Sequence, residues 1–179
     1  ARPSLSETAP VNQPDRPKSA LLGPLRQHLS SLAILEVSMN TSLASQARIT
    51  AEDLFNSGLF CAESAVIALA RAQGIESDLL PKIATGFCGG MARTCGTCGA
   101  LTGAMMGIGL ALGRSESSTS ADQSYLATQR LIRAFEREFG SRECHVLLGC
   151  DLGTPEGQAS FRENQLRVRC ANFTGRATE

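Results

Sequence analysis

Apolar residues recur along this chain at helical intervals. Leu25, Leu29, Leu32 and Leu35 fall on adjacent turns, Cys61, Ala65, Leu69 and Ala72 share one face, and Ile132, Phe135 and Phe139 share another. Polar punctuation marks the ends. Thr50-Ala-Glu-Asp53 has the spacing of a capping box and predicts a short helix running to Gly58, after which Cys61 opens a second that stops at Gly74. Pro81, tolerated in a first turn, places a third helix from Ser77 or Leu80 to Gly86. Ser120 caps a longer helix over about 121–139, stopped by Gly140, and Ser141 starts a short one with Cys144 in its first turn. Thr154-Pro155-Glu156 supplies a cap, a proline and an acid for a last helix, reaching Gln165 or on toward Cys170. No alternating run suggests a strand. The expected fold class is all-α, a compact multi-helix bundle.

The stretch from Gly86 to Gly113 stands apart. No charged residue follows Arg93 until Arg114, yet the apolar part, Ala100 to Leu112, is shorter than the roughly 20 residues a membrane span needs. A glycine-rich central helix from about Thr97 to Leu112 fits better. Gly99, Gly103 and Gly107 lie four apart, so they stack on one face. Each glycine costs about 1 kcal/mol against alanine inside a helix. That face predicts either close approach of another helix or a bulky group lying on Gly99 and Gly103.

Residues 1–22 carry Pro3, Pro10, Pro14 and Pro17 among polar residues and read as disordered. The expected boundary is at Met39: 1–38 a disordered or weakly structured leader, 39–179 a cysteine-rich helical redox domain. Basic and acidic residues balance at 17 each, and there is no tryptophan and one tyrosine, which argues against nucleic acid as a partner. Neither a membrane span nor a secretory signal is visible.

Seven cysteines, an odd number, cannot all pair within one chain. With no secretory signal this favours a cytoplasmic setting and metal or redox chemistry over structural bridges. Cys95-Gly-Thr-Cys98 can share a metal, close a reversible disulfide, or act as nucleophile and resolving thiol. Cys61, Cys95, Cys98 and Cys144 all fall near predicted helix starts, whose partial positive charge favours thiolates. Four thiolates suit an iron–sulfur cluster or a closed zinc site. Cys88 is equally able to pack on Phe87, and Cys150 follows a helix in a loop. His28 falls in the leader. His145 neighbours Cys144 but points about 100° away on a helix. Glu63 reads as a helix-start charge rather than a proton donor.

The order of Cys61, then Phe87-x-Gly-Gly-Met91, then Cys98-Gly-Ala-Leu-Thr-Gly103, then Phe139-Gly-Ser141 before Cys144, then Cys170 resembles the C_GCAxxG_C_C family of redox-active proteins. The resemblance covers about 50–170, and Cys61, Cys98, Cys144 and Cys170 match the family's four cysteines. It implies redox activity through those residues. A similar domain in split-Soret cytochromes c implies iron–sulfur binding. Cys88, Cys95 and Cys150 are additions to the pattern.

The expected function is therefore that of a cysteine-ligated iron–sulfur or other thiolate-metal protein, in electron transfer or redox sensing. The expected ligands are Cys61, Cys95, Cys98, Cys144 and Cys170. The alternatives are a metal-free thiol oxidoreductase using Cys95 and Cys98, or a zinc or soft-metal binding module. A redox partner protein is expected but not identified, and a homodimer stays open.

Overall fold

A computed structural model of the chain describes residues 42–179. The expected leader, the helix over 25–37, His28 and the domain start at Met39 lie outside the described residues.

The first helix, α1, covers 42–56, so Thr50 sits inside it rather than capping it. Ala47, Ala51 and Phe55, four apart, form its buried face. That apolar stripe outweighs the local capping preference of Thr50. The other predicted helices follow as α2 (Cys61–Ala72), α3 (Leu79–Ala84), α5 (Gly99–Leu112), α6 (Asp122–Phe139), α7 (Cys144–Leu148) and α8 (Pro155–Glu163); between α3 and α5 the structure adds a 3-10 turn (Thr85–Phe87) and a short segment, α4 (Cys88–Met91), whose glycines are not in helical conformation. The side chains named as caps act as such at α8, where Thr154 Oγ1 accepts from Gly157 N at 3.0 Å. Ser120 Oγ accepts from Asp122 N at 3.1 Å from one position before the cap residue Ala121, so it marks the start of α6 without capping it. The last helix does not run on. The chain breaks at Gln165 (φ 52°) and starts again as α9 (Arg167–Thr178), which carries Cys170. Among the described residues there is no strand, only an isolated antiparallel bridge between Thr97 and Glu143. No described helix is long and apolar enough to cross a membrane.

The closest packing joins α2 and α5. A Cβ on Gly103 would fall 2.4 Å from the Ala62 carbonyl oxygen, and one on Gly107 would fall 2.4 Å from Leu69 Cδ1. Both glycines therefore serve helix–helix approach, and the expected role of Gly103 under a bound group gives way to that contact with α2. The other side of α5 meets α6 and α9. There Leu101 and Ala104 pack with Phe135, Leu147, Leu148 and Phe173. Phe139 stands between Phe135 and Phe173, 4.8 Å from each ring centre. Cys61 touches this cluster and the second one formed by α2, α3 and Cys88.

Candidate functional site

Four helices begin around one space. Cys61 is the first residue of α2, Cys98 the cap of α5, Cys144 the first residue of α7, and Cys170 lies in the opening turn of α9. All four, with Cys88, line a single cavity of about 510 Å³. The cysteines come from positions up to 109 residues apart (170 − 61), so only the tertiary fold brings them together.

Backbone pairing fixes two of them side by side. Cys98 N donates to the Arg142 carbonyl at 2.8 Å, and Cys144 N donates to the Gly96 carbonyl at 2.9 Å. These bonds flank the Thr97–Glu143 bridge and leave both side chains turned into the cavity. Two motif glycines make room for two thiols. A Cβ on Gly99 would lie 2.4 Å from Cys61 Sγ, and one on Gly90 would lie 2.4 Å from Cys144 Cβ and 3.2 Å from its Sγ.

The wall between these glycines is a left-handed turn. Gly89 to Arg93 all have positive φ: 63°, 72°, 57°, 56° and 67°. The L-residues Met91, Ala92 and Arg93 each cost about 1–2 kcal/mol in this region. Bonds inside the turn hold it: Ala92 N to Cys88 O at 2.9 Å, Gly96 N to Gly90 O at 3.0 Å, and Thr94 Oγ1 to Met91 O at 2.7 Å. Strain of this kind clusters at functional sites.

The turn also separates the two members of Cys-x-x-Cys. Cys98 is buried in the cavity, whereas Cys95 (φ 63°) stands outside it, beside the Asp151 carboxylate. The Asp151 carboxylate, with some desolvation, raises the Cys95 pKa, and the Cys95 thiol in turn lowers that of Asp151. His145 Nδ1 lies 3.0 Å from the Cys95 carbonyl oxygen and faces that side, not the cavity. Cys150 is near Asp151, and burial pushes its thiol up. Glu63 is buried, accepting from Phe60 N at 2.8 Å and Thr85 Oγ1 at 2.7 Å. It closes the start of α2, as its position in the first turn suggests.

Within the cavity the thiols are unequal. Cys61 is pulled down from 9.0 to about 7 by the neighbouring Cys88 thiol, against the opposing effect of burial, with help from the backbone amides of Gly89, Ala62 and Cys61; the Cys88 thiol itself donates to the Ala84 carbonyl at 3.6 Å. Ionisation of Cys88 is opposed by its neighbour Cys61 and by burial. Burial, and then the charge of Cys61, push Cys144 up to about 12 and Cys170 in the same direction. Cys98 is raised well above its usual value by the same two causes. Of the cavity thiols, Cys61 is the one whose ionisation is favoured, and that of Cys88, Cys98, Cys144 and Cys170 is opposed. No three His, Cys, Asp or Glu side chains among the described residues gather tightly enough to hold one metal ion.

Three residues of the site have no motif behind them. Arg93, Arg162 and Arg167 line the cavity, and no acidic residue among those described does. Arg167 stacks on the Phe55 ring at 4.3 Å and donates to the Phe55 carbonyl.

No curated protein and no solved structure matches the chain. The family model described as "Putative redox-active protein (C_GCAxxG_C_C)" matches residues 59–179, which span α2 to α9 and every thiol of the cavity. By that match the chain belongs to the C_GCAxxG_C_C family.

Proposed function

We propose that the cavity is the seat of a thiolate-bound iron–sulfur cluster, held by Cys61, Cys98, Cys144 and Cys170, in a protein that transfers electrons or senses redox state. The observation that carries this reading is that four cysteines from four helix starts line one space. The donor set fits the group. All four are soft sulfur ligands, and the helix starts favour anionic sulfur. Burial opposes the ionisation of Cys98, Cys144 and Cys170, and a cationic iron core among them would reverse that opposition. When bound, such a cluster supplies reversible one-electron chemistry, tuned by hydrogen bonds and burial. The chain supplies the ligands, the glycine-cleared space and the apolar walls of Leu147, Leu148 and Leu152.

Iron and sulfide analysis after anaerobic purification and reconstitution tests the reading. The expected result is stoichiometric iron and sulfide with visible absorption. Colourless protein with neither element would overturn it.

A second reading is favoured by the closeness of Cys61 and Cys88, which crowd the same glycine: a Cβ on Gly99 would lie 2.4 Å from Cys61 Sγ and 3.1 Å from Cys88 Cα. In a metal-free thiol exchange, the Cys61 thiolate attacks a substrate disulfide and expels one substrate thiolate. The Cys88 thiol, deprotonated, then attacks Cys61 sulfur, expels the second substrate thiolate and leaves a Cys61–Cys88 disulfide. The dithiol of this reading is Cys61 with Cys88 rather than Cys95 with Cys98. Loss of two thiols on mild oxidation, in protein without iron, is its signature.

A further inference from the structure

The rim of the cavity differs in kind from its floor. Cys98 and Cys144 are buried, whereas Arg93, Arg162 and Arg167, which line the same cavity, are exposed and so form its solvent-facing edge. The whole chain is neutral, with 17 basic and 17 acidic residues. A mixed surface would place acids beside these arginines, yet no carboxylate among the described residues lines the cavity. Neither Arg93 nor Arg162 pairs with an acid among the described residues; the ion pairs there use Arg48, Arg142 and Arg176.

Two of the three arginines stand where local rules disfavour them. Arg93 closes the left-handed turn at φ 67°. Arg167 is the first residue of α9, a cation at the positive end of a helix. Such local conflicts concentrate at functional positions. The walls beneath the rim are apolar and partly aromatic: Phe55, Phe60 and Phe161 line the cavity, and Phe60 is half exposed there. The volume, about 510 Å³, lies in the range of small-molecule pockets.

We propose that this arginine-rimmed cavity binds a small organic carboxylate, with its carboxylate held by Arg93 and Arg162 and its apolar body against the phenylalanine walls. Guanidinium forks match carboxylate geometry with two parallel hydrogen bonds. Arg167 is tied to Phe55 and frames the entrance. This goes beyond the cluster reading, because the rim charge attracts the anion whatever the thiols hold.

The test uses the full chain as purified anaerobically, titrated with 4-fluorophenylacetate and, in parallel, its neutral amide, read by fluorine NMR. Iron and sulfide are measured on the same sample, so absence of a cluster is recorded separately from absence of binding. The carboxylate is expected to bind at least about tenfold more tightly than the amide, and added salt to weaken it. R93Q/R162Q, with helicity checked by circular dichroism, is expected to lose that preference and leave amide binding unchanged. R93K/R162K, which keeps charge but not the fork, is expected to fall between. Equal binding of the two probes, no binding of the carboxylate at millimolar concentration, or an unchanged preference in R93Q/R162Q overturns the proposal. A shifted reduction potential in R93Q/R162Q with no change in probe binding also overturns it, since the arginines would then serve only the buried group.

Discussion

Replacing Gly99 by alanine places a methyl group directly against the Cys61 thiol. The added Cβ would lie 2.4 Å from Cys61 Sγ, 3.0 Å from the Phe87 carbonyl oxygen and 3.1 Å from Cys88 Cα. Carbon contacts are comfortable at about 3.5–4.0 Å, so the sulfur must retreat by about 1 Å. The thiol can rotate, but the other two contacts are backbone and give less. Overpacking of this kind costs about 1–3 kcal/mol, against about 1 kcal/mol gained from helix propensity. The net effect is a loss of up to about 2 kcal/mol, which lowers Tm by up to about 8 °C in a domain of this size. Gly109 is the internal control. It lies in the same helix, and a methyl group there would meet nothing within 4 Å, so Gly109→Ala should gain about 1 kcal/mol. Moving Cys61 also disturbs the amide and thiol contacts that hold its pKa near 7, so its reactivity should shift. Urea unfolding of reduced protein and the pH profile of Cys61 alkylation, read by peptide mass, measure both effects. A Gly99→Ala protein as stable as the parent, with an unchanged alkylation profile, would refute the packing account of the site.

In the parent protein, Cys61 alkylation should rise to half its plateau near pH 7, with Cys98, Cys144 and Cys170 still unreactive at pH 9. The raised pKa values of those three also set the stability of reduced, metal-free protein. Each holds its proton more tightly folded than unfolded, so its contribution is full below pH 9 and is lost as pH rises toward about 12, the Cys144 value. Chemical denaturation across pH 8 to 12 should show that fall, and a flat profile would contradict it. Cys98→Ser should remove or strongly alter the visible absorption of reconstituted protein, while Cys95→Ser, outside the cavity, should leave iron content nearly unchanged. Phe173→Ala should cost about 3–5 kcal/mol in urea unfolding, since its ring packs edge-on to Phe135 and Phe139 in the core.

The helix starts were legible because their chemistry is local. Thr154 before Pro155, and the serines at 120 and 141, announce their helices through side-chain oxygens that bond within three residues. The sequence allowed the helix to end near Gln165 or to run on toward Cys170, and could not choose, because the residue at positive φ is neither glycine nor asparagine. For the same reason the separation of Cys95 from Cys98 could not be read: it depends on a left-handed turn carried by Met91, Ala92 and Arg93. The spacing of Gly99, Gly103 and Gly107 pointed to a crowded face, and the structure divides it. Gly103 and Gly107 meet α2, while Gly99 clears the Cys61 sulfur. The arginine rim left no periodic trace, since Arg93, Arg162 and Arg167 lie on three unrelated elements.

Whether four thiols hold one polynuclear iron group is tested most directly by anomalous scattering from anaerobic crystals, collected on both sides of the iron and zinc edges. An iron signal is expected within the cavity, between the sulfurs of Cys61, Cys98, Cys144 and Cys170. A zinc signal there, or iron bound instead beside Cys95 and Cys150, would contradict the proposed ligand set.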